Sequence, residues 1–240
     1  RRTLASDSIL AYSRPAYAGG RPDLAGNDFS LARKAMVDGQ IAVSSVVEPR
    51  LLSALLTVPR ELFVPEHRAA LAYSDSQHDI GHGRKLSSPV EFARIAQLAA
   101  IGPTDRVLDV ACGTGYSSAV LSKIAASVVA YEDDKDLARI AVHNLSRIGA
   151  ANASVLTQEQ SALDAGPYDA MVFEGAIGNV QDTYLERLAP RGRLVAVIGA
   201  GRTGVATVWI RTADGIVSRT HFNAMLPSTM SNDAPEEFVF

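Results

Sequence analysis

The residues best suited to chemistry lie in one stretch that runs from an apolar segment into a glycine-rich turn. Gly113 and Gly115 would let the backbone pass close to a ligand where a buried strand turns into a helix. Glu132 follows the next apolar segment, 17 residues after Gly115, where an acid can accept both hydroxyls of a ribose. This spacing predicts a cofactor site. The stretch reads Val107-Leu108-Asp109-Val110-Ala111-Cys112-Gly113-Thr114-Gly115-Tyr116.

One position in this stretch and one just after it favour a cofactor without phosphate. A dinucleotide site has a third glycine three residues after the second, which brings the helix close to a pyrophosphate, but this chain has Ser118 there. Asp109, at the end of the predicted strand, would repel phosphates and suits a cationic or zwitterionic ligand. S-adenosyl-L-methionine carries an amino group, a sulfonium and a ribose, and it is therefore the predicted cofactor.

Three other groups could do chemistry, and each has a simpler interpretation. Cys112 lies inside the turn without a nearby histidine, which favours a small buried residue over a nucleophile. His82 stands between two glycines and is expected to be an exposed loop residue rather than a general base. The acids at 132–134 resemble a metal site, but two of them precede a helix and would serve its positive end. We therefore predict no metal.

Composition limits the class of protein. With 240 residues, of which 47% are hydrophobic, the chain can bury one substantial core. Its net charge of −3 provides no field for a polyanion, so we expect no nucleic-acid partner. No secretory signal and no apolar run of about 18 residues is present, so no membrane association is expected. A single cysteine fits a reducing compartment, and the cytoplasm is the expected location.

Apolar runs of strand length alternate with helical stretches in the second half of the chain. This alternation predicts an α/β fold with a doubly wound, mostly parallel, Rossmann-like sheet. Two further strands around a turn at 213–215 predict an antiparallel hairpin at the edge of the sheet. The predicted strands are 106–110, 127–131, 154–156, 170–173, 194–198, 205–211 and 216–221, and the helices between them are 116–125, 134–148 and 180–189.

The first hundred residues have a different pattern. Residues 1–28 mix Ser, Gly, Pro and Arg without apolar periodicity and are predicted to form a polar arm. Helical patterns follow, so we expect a small helical subdomain on the substrate side over 29–100 and the cofactor-binding domain over 101–240. At the end of this subdomain, Ser88 before Pro89 has the pattern of a helix N-cap, and Ser87 is then free to face a ligand.

With these residues placed, the chain from about 36 to 199 resembles the protein-L-isoaspartate O-methyltransferase family of class I S-adenosylmethionine methyltransferases. The glycine turn alone is typical of methyltransferases in general, whereas the upstream helical part and the Ser-x-Pro loop are specific to the family. The segments that carry the resemblance are Val-Pro-Arg-Glu-Leu-Phe-Val-Pro at 58–65, Ile-Gly-His-Gly-Arg at 80–84, Leu-Ser-Ser-Pro at 86–89, Val-Ala-Tyr-Glu at 129–132 and Pro-Tyr-Asp-Ala at 167–170.

The resemblance implies roles for particular residues. Ser87 matches the family's active-site serine, which sits beside the methyl-accepting carboxylate. Glu159 falls where the family commonly has an Asp that bonds the adenine amino group. The implied partners are damaged proteins or peptides bearing L-isoaspartate, whose methyl ester collapses to a succinimide and reopens partly to aspartate, a repair reaction. The implied cofactor contacts are Gly83, Arg84, Asp109, Gly113, Gly115, Tyr116 and Glu132.

The chain also departs from the family. Ala111 replaces the first glycine of the turn, which is tolerable if the backbone there keeps a negative φ. Glu174 stands where the family usually has a small neutral residue, and it would repel a carboxylate acceptor if ionised. Where many family members have an aromatic or His residue soon after the Ser-x-Pro, this chain has Val90-Glu91-Phe92, and no Gln follows Gly199. Two alternatives therefore remain: a methyltransferase of this fold with another acceptor, and a cofactor-binding protein without catalysis.

Overall fold

A computed structural model describes residues 27–199 and 203–227. The predicted polar arm at 1–28 falls almost entirely outside these residues. Within them, no helix combines the length and the apolar character that crossing a membrane requires.

The described residues build a seven-stranded sheet in the order β5-β4-β3-β6-β7-β8-β9. The first five of these strands run parallel, and β8 and β9 pair antiparallel at one edge. The predicted fold class is therefore confirmed. The strands are β3 (Arg106–Val110), β4 (Ser127–Tyr131), β5 (Ala153–Leu156), β6 (Tyr168–Ile177), β7 (Leu188–Ile198), β8 (Gly204–Thr212) and β9 (Gly215–Ala224). A separate antiparallel pair consists of β1 (His78–Gly81) and β2 (Arg84–Leu86).

Helices cover both faces of the sheet. Those in the chain before the sheet are α1 (Asn27–Met36), α2 (Pro49–Thr57) and α3 (Pro89–Leu98). A π-helical turn, Val37–Ile41, and 3-10 turns at Ala42–Ser44, Arg60–Phe63 and Glu66–Leu71 connect them. Between the strands lie α4 (Tyr116–Leu121), α5 (Lys135–Arg147), α6 (Glu159–Asp164) and α7 (Asp182–Glu186).

Alternation along each strand divides the core into two layers. Val107 and Val172 face the layer that includes α1, α2 and α3, so the helical first part of the chain and the sheet share one hydrophobic cluster. Leu108 and Phe173 point to the other face, which α6 and α7 cover. Asp109 lies on the same face as Val107 because side chains two residues apart share a face.

Several elements differ from their predicted bounds. Helix α7 is five residues long rather than the predicted 180–189, because Leu188 already pairs with Tyr168 as the start of β7. The segment Glu66–Leu71 is a 3-10 helix. The β1–β2 hairpin and α6 had no prediction, and the loop expected at His82 is the turn of that hairpin.

Candidate active site

Three acids meet at one edge of the sheet. Val110 pairs with Tyr131 on one side and with Phe173 on the other, so the carboxyl ends of β3, β4 and β6 lie in register. Asp109 is the penultimate residue of β3, Glu132 follows the last residue of β4, and Glu174 follows Phe173. In open parallel sheets this edge is where ligands bind.

The turn after β3 has the backbone that the glycines predict. Gly113 has φ +57° and Gly115 has φ +91°, the left-handed region in which a side chain is strained. A Cβ on Gly115 would also stand 3.2 Å from the Cβ of Ala141 on α5. The condition under which Ala111 would be tolerated, a negative φ, is not met: its φ is +63°. An alanine in this region costs about 1–2 kcal/mol, so the turn is strained at the position where the family has glycine.

Glu132 is fully buried and holds the turn in place. Its Oε2 accepts a hydrogen bond of 2.7 Å from the Gly113 backbone N–H. The Arg84 guanidinium donates to Oε1 at 2.9 Å and to Oε2 at 3.1 Å. Burial raises the pKa of Glu132 to about 7, and the Arg84 charge acts against that rise. Both carboxylate oxygens are therefore engaged by the protein, and Arg84 of the β1–β2 hairpin donates to both of them.

Asp109 is fully buried beneath the same turn. Its Oδ2 accepts hydrogen bonds from the hydroxyls of Ser117 and Ser118 on α4. Its Oδ1 is buried and has no hydrogen-bond partner in the described part of the chain. Burial raises the pKa of Asp109, and the two serine hydroxyls lower it. An unpartnered carboxylate oxygen at this depth suits a ligand that brings a positive charge or a donor.

Ser87 lies at the same edge, between β2 and α3. Its side chain is buried, and Oγ donates a long hydrogen bond of 3.3 Å to the Glu174 backbone carbonyl. Ser88 accepts a hydrogen bond from the Glu91 N–H as the N-cap of α3, which confirms the prediction for that residue. Ser87 therefore does not cap the helix, and its hydroxyl is directed at the end of β6.

Sequence reasoning missed Arg60, which fixes the Ser87 backbone. Its guanidinium is fully buried and donates to the carbonyls of Ala72 at 2.8 Å and Ser87 at 2.5 Å. It stacks over the Tyr116 ring, with its Cζ 4.5 Å from the centroid, and burial lowers its pKa. The feature of the sequence that could have identified Arg60 is that it is a single arginine among the apolar residues of 58–64.

The structure also places the three remaining candidate residues, which are Glu159, Tyr116 and Gly83. Glu159 is half-buried and its Oε1 accepts a hydrogen bond of 2.5 Å from Tyr184, so it faces the layer under α7. The Tyr116 ring packs in the core against Phe63 and Phe92, and only its backbone belongs to the turn. Gly83 lies in the hairpin turn before Arg84, with φ +72°.

The structure also places the groups that were given simpler interpretations. Cys112 is buried, and burial raises the pKa of its thiol well above the ordinary value, so it carries no thiolate. His82 is exposed and its Nδ1 lies 2.9 Å from Asp134 Oδ2. Asp134 is the N-cap of α5 and accepts from the N–H groups of residues 136 and 137. Asp136 also lies close to this pair, and all three side chains reach solvent.

The doubly wound sheet, the glycine turn after β3 and the acids at the strand ends define the class of protein: a Rossmann-like methyltransferase. Within that class, the chain belongs to the protein-L-isoaspartate(D-aspartate) O-methyltransferase family, whose model matches residues 31–229. The protein-L-isoaspartate O-methyltransferase of Koribacter versatilis is 35% identical over 201 residues, which cover 83% of this chain and 89% of that protein. That of Protochlamydia amoebophila is 38% identical over 166 residues, covering 68% and 79%.

Solved structures give the same fold. A Plasmodium falciparum structure named as a protein-L-isoaspartate O-methyltransferase in complex with S-adenosyl-L-homocysteine has a TM-score of 0.71 and 20% identity. The match covers 86% of this chain and all of that one. Another protein-L-isoaspartate O-methyltransferase has a TM-score of 0.70 and 22% identity, with 82% and 65% of the two chains covered.

Proposed function

We propose that the chain transfers the methyl group of S-adenosyl-L-methionine to the free carboxylate of L-isoaspartyl residues in damaged proteins and peptides. The observation that carries this proposal is the buried Ser87 hydroxyl at the sheet edge where Asp109 and Glu132 lie. Membership of the family supports the same acceptor. The ester would collapse to a succinimide that reopens partly to aspartate, so the activity is protein repair. The lone cysteine supports a cytoplasmic location.

The residues at the sheet edge fit S-adenosyl-L-methionine. Glu132 would accept its ribose hydroxyls, and the unpartnered Oδ1 of Asp109 would take its amino group directly or through water. Gly113 and Gly115 would bring the backbone close to it, with Gly83, Arg84 and the Tyr116 backbone around it, and Glu159 near the adenine. When bound, the cofactor supplies an electrophilic methyl group on a sulfonium.

The acceptor needs alignment rather than activation. A carboxylate is ionised at neutral pH and is already nucleophilic, so the protein's contribution is orientation and the exclusion of water. Ser87 would orient the acceptor by donating from Oγ, which it can redirect because its present bond to the Glu174 carbonyl is long. In the described part of the chain no histidine hydrogen-bonds Ser87, so an acylated serine is not part of this mechanism.

The test is methylation of a synthetic isoaspartyl peptide with methyl-labelled S-adenosylmethionine. We expect a base-labile methyl ester from the wild-type chain, and at least a tenfold lower kcat/KM in Ser87→Ala, because one hydrogen bond to a charged acceptor is lost. The normal aspartyl peptide is the substrate control, and calorimetry shows whether the variant still binds the cofactor. An absence of ester above the Ser87→Ala background would contradict the proposal.

Arg84 is expected to compete with the cofactor for Glu132. Both carboxylate oxygens accept from its guanidinium, so a ribose must displace or share these hydrogen bonds. Replacing Arg84 by glutamine removes the ion pair, and we predict a three- to tenfold lower Kd for S-adenosylmethionine, measured by calorimetry at low salt. Lys85→Gln removes a neighbouring charge that makes no such contact and is the control. A Kd that rises in Arg84→Gln would show that Arg84 supports cofactor binding, by direct contact or by keeping Glu132 ionised, instead of competing with the cofactor.

A further inference from the structure

Glu174 is the acid at the sheet edge to which the proposed mechanism assigns no role. It lies where β6 leaves the regular pairing with β7: Val172 pairs with Val195, and the next pair is Ala176 with Val197. Between these two pairs β6 advances by four residues while β7 advances by two, so β6 bulges out of the regular pairing. A bulge of this kind at a strand end redirects a side chain away from the regular pleat. Glu174 is at its centre.

The Glu174 backbone lies at the acceptor side of the site. The backbone carbonyl of the same residue accepts the Ser87 hydroxyl, so Glu174 and the proposed acceptor-orienting serine are neighbours. Its Oε1 is buried and has no hydrogen-bond partner among the described residues. The residue as a whole is only partly buried. A polar atom in this position is costly unless a ligand or water satisfies it.

Burial and the neighbouring Asp109 favour the protonated form of Glu174. Asp109 of β3 and the buried Arg60 of the Arg60–Phe63 turn are the charged groups that face it. Burial raises the pKa of Glu174 well above its ordinary value, Asp109 raises it further, and Arg60 acts in the opposite direction. This direction favours the protonated carboxyl, which can donate a hydrogen bond, and it weakens the repulsion expected from an ionised Glu174.

We propose that the protonated Glu174 carboxyl donates a hydrogen bond to the methyl-accepting carboxylate and selects anionic carboxylates as acceptors. This inference rests on the proposed function, because it concerns the acceptor of that reaction. Ser87 and Glu174 occupy adjacent positions, and both would donate a hydrogen bond to the same acceptor carboxylate. The methyl transfer itself moves no proton, so Glu174 keeps its proton throughout. Loss of that proton at high pH would place two carboxylates together and weaken acceptor binding.

Two variants test the proposal. Glu174→Gln keeps the size and a donor that cannot ionise, whereas Glu174→Leu keeps the approximate size and has no donor. We expect Glu174→Leu to lower kcat/KM for the isoaspartyl peptide at least tenfold, mainly through KM, with the Kd for S-adenosylmethionine within twofold of wild type. Glu174→Gln should stay within threefold of wild type and lose the fall in activity at alkaline pH. Glu186→Leu, at the exposed last residue of α7, is the matched control.

A second measurement does not depend on turnover. Infrared difference spectra between wild type and Glu174→Gln at neutral pH should show a protonated carboxylic band that only the wild type has, and thermal melts confirm that each variant is folded. The proposal is overturned if that band is missing, or if Glu174→Leu keeps its kcat/KM within threefold. A wild-type chain that binds the cofactor and methylates no isoaspartyl peptide would instead refute the proposed function, whatever the infrared spectra show.

Discussion

Replacing Glu132 by alanine is expected to weaken S-adenosylmethionine binding by at least a hundredfold. The buried carboxylate would accept both ribose hydroxyls, and a hydrogen bond to a charged group contributes about 1.5–3 kcal/mol. Two such bonds amount to roughly 3 kcal/mol or more, and each step of about 1.4 kcal/mol is a factor of ten in Kd. Loss of the 2.7 Å bond from the Gly113 N–H adds to the effect, because it loosens the turn.

The neighbouring acid provides a matched control for this prediction. Asp133 also accepts from Arg84, at 3.2 Å, but its side chain is 61% exposed, and Asp133→Ala should change the Kd less than threefold. Glu132→Gln keeps one oxygen that can accept from the Gly113 N–H, and its Kd should lie between those of Glu132→Ala and Asp133→Ala. Calorimetric titration with S-adenosylmethionine measures all three variants. If Glu132→Ala and Asp133→Ala have equal affinities, the ribose does not bind at the end of β4.

The parallel part of the fold could be predicted because its signals are local and strong. The predicted bounds of β3 and β4 agree with the structure residue for residue, since each is a short apolar run that ends at a turn or an acid. Register then follows from parallel pairing, and this brings Asp109 and Glu132 to one edge. The sequence was therefore sufficient to predict which residues meet there.

The acceptor side could not be predicted in the same way. The β1–β2 hairpin has strands of four and three residues, too short for a periodic pattern, and its turn has positive φ at Gly81, His82 and Gly83. The direction of the Glu174 carboxyl depends on a bulge that no residue pattern marks. The positive φ of Ala111 is imposed by the turn around it against the preference of the residue.

Replacing Arg60 by alanine is expected to lower the free energy of unfolding by about 3 kcal/mol or more, and to lower kcat as well. The change leaves the buried carbonyls of Ala72 and Ser87 without donors, at about 1–3 kcal/mol each, and removes the contact with the Tyr116 ring. Ser87 then loses the bond that fixes its backbone. Urea unfolding measures the stability, and peptide methylation measures kcat. Arg139→Ala, whose side chain is 74% exposed, should change stability by less than about 0.5 kcal/mol.

The variant Arg60→Met separates the two possible sources of this stabilisation, which are the hydrogen bonds that the guanidinium donates and the space that the side chain fills. Buried ion pairs can often be replaced by apolar residues without loss, because both charges leave together. Arg60 differs, since its partners are backbone carbonyls that remain after the substitution. Arg60→Met restores volume but no donor, so we expect most of the stability loss to persist. A methionine variant as stable as the wild type would mean that the arginine stabilises the chain by filling space, and that the Ser87 carbonyl finds another donor.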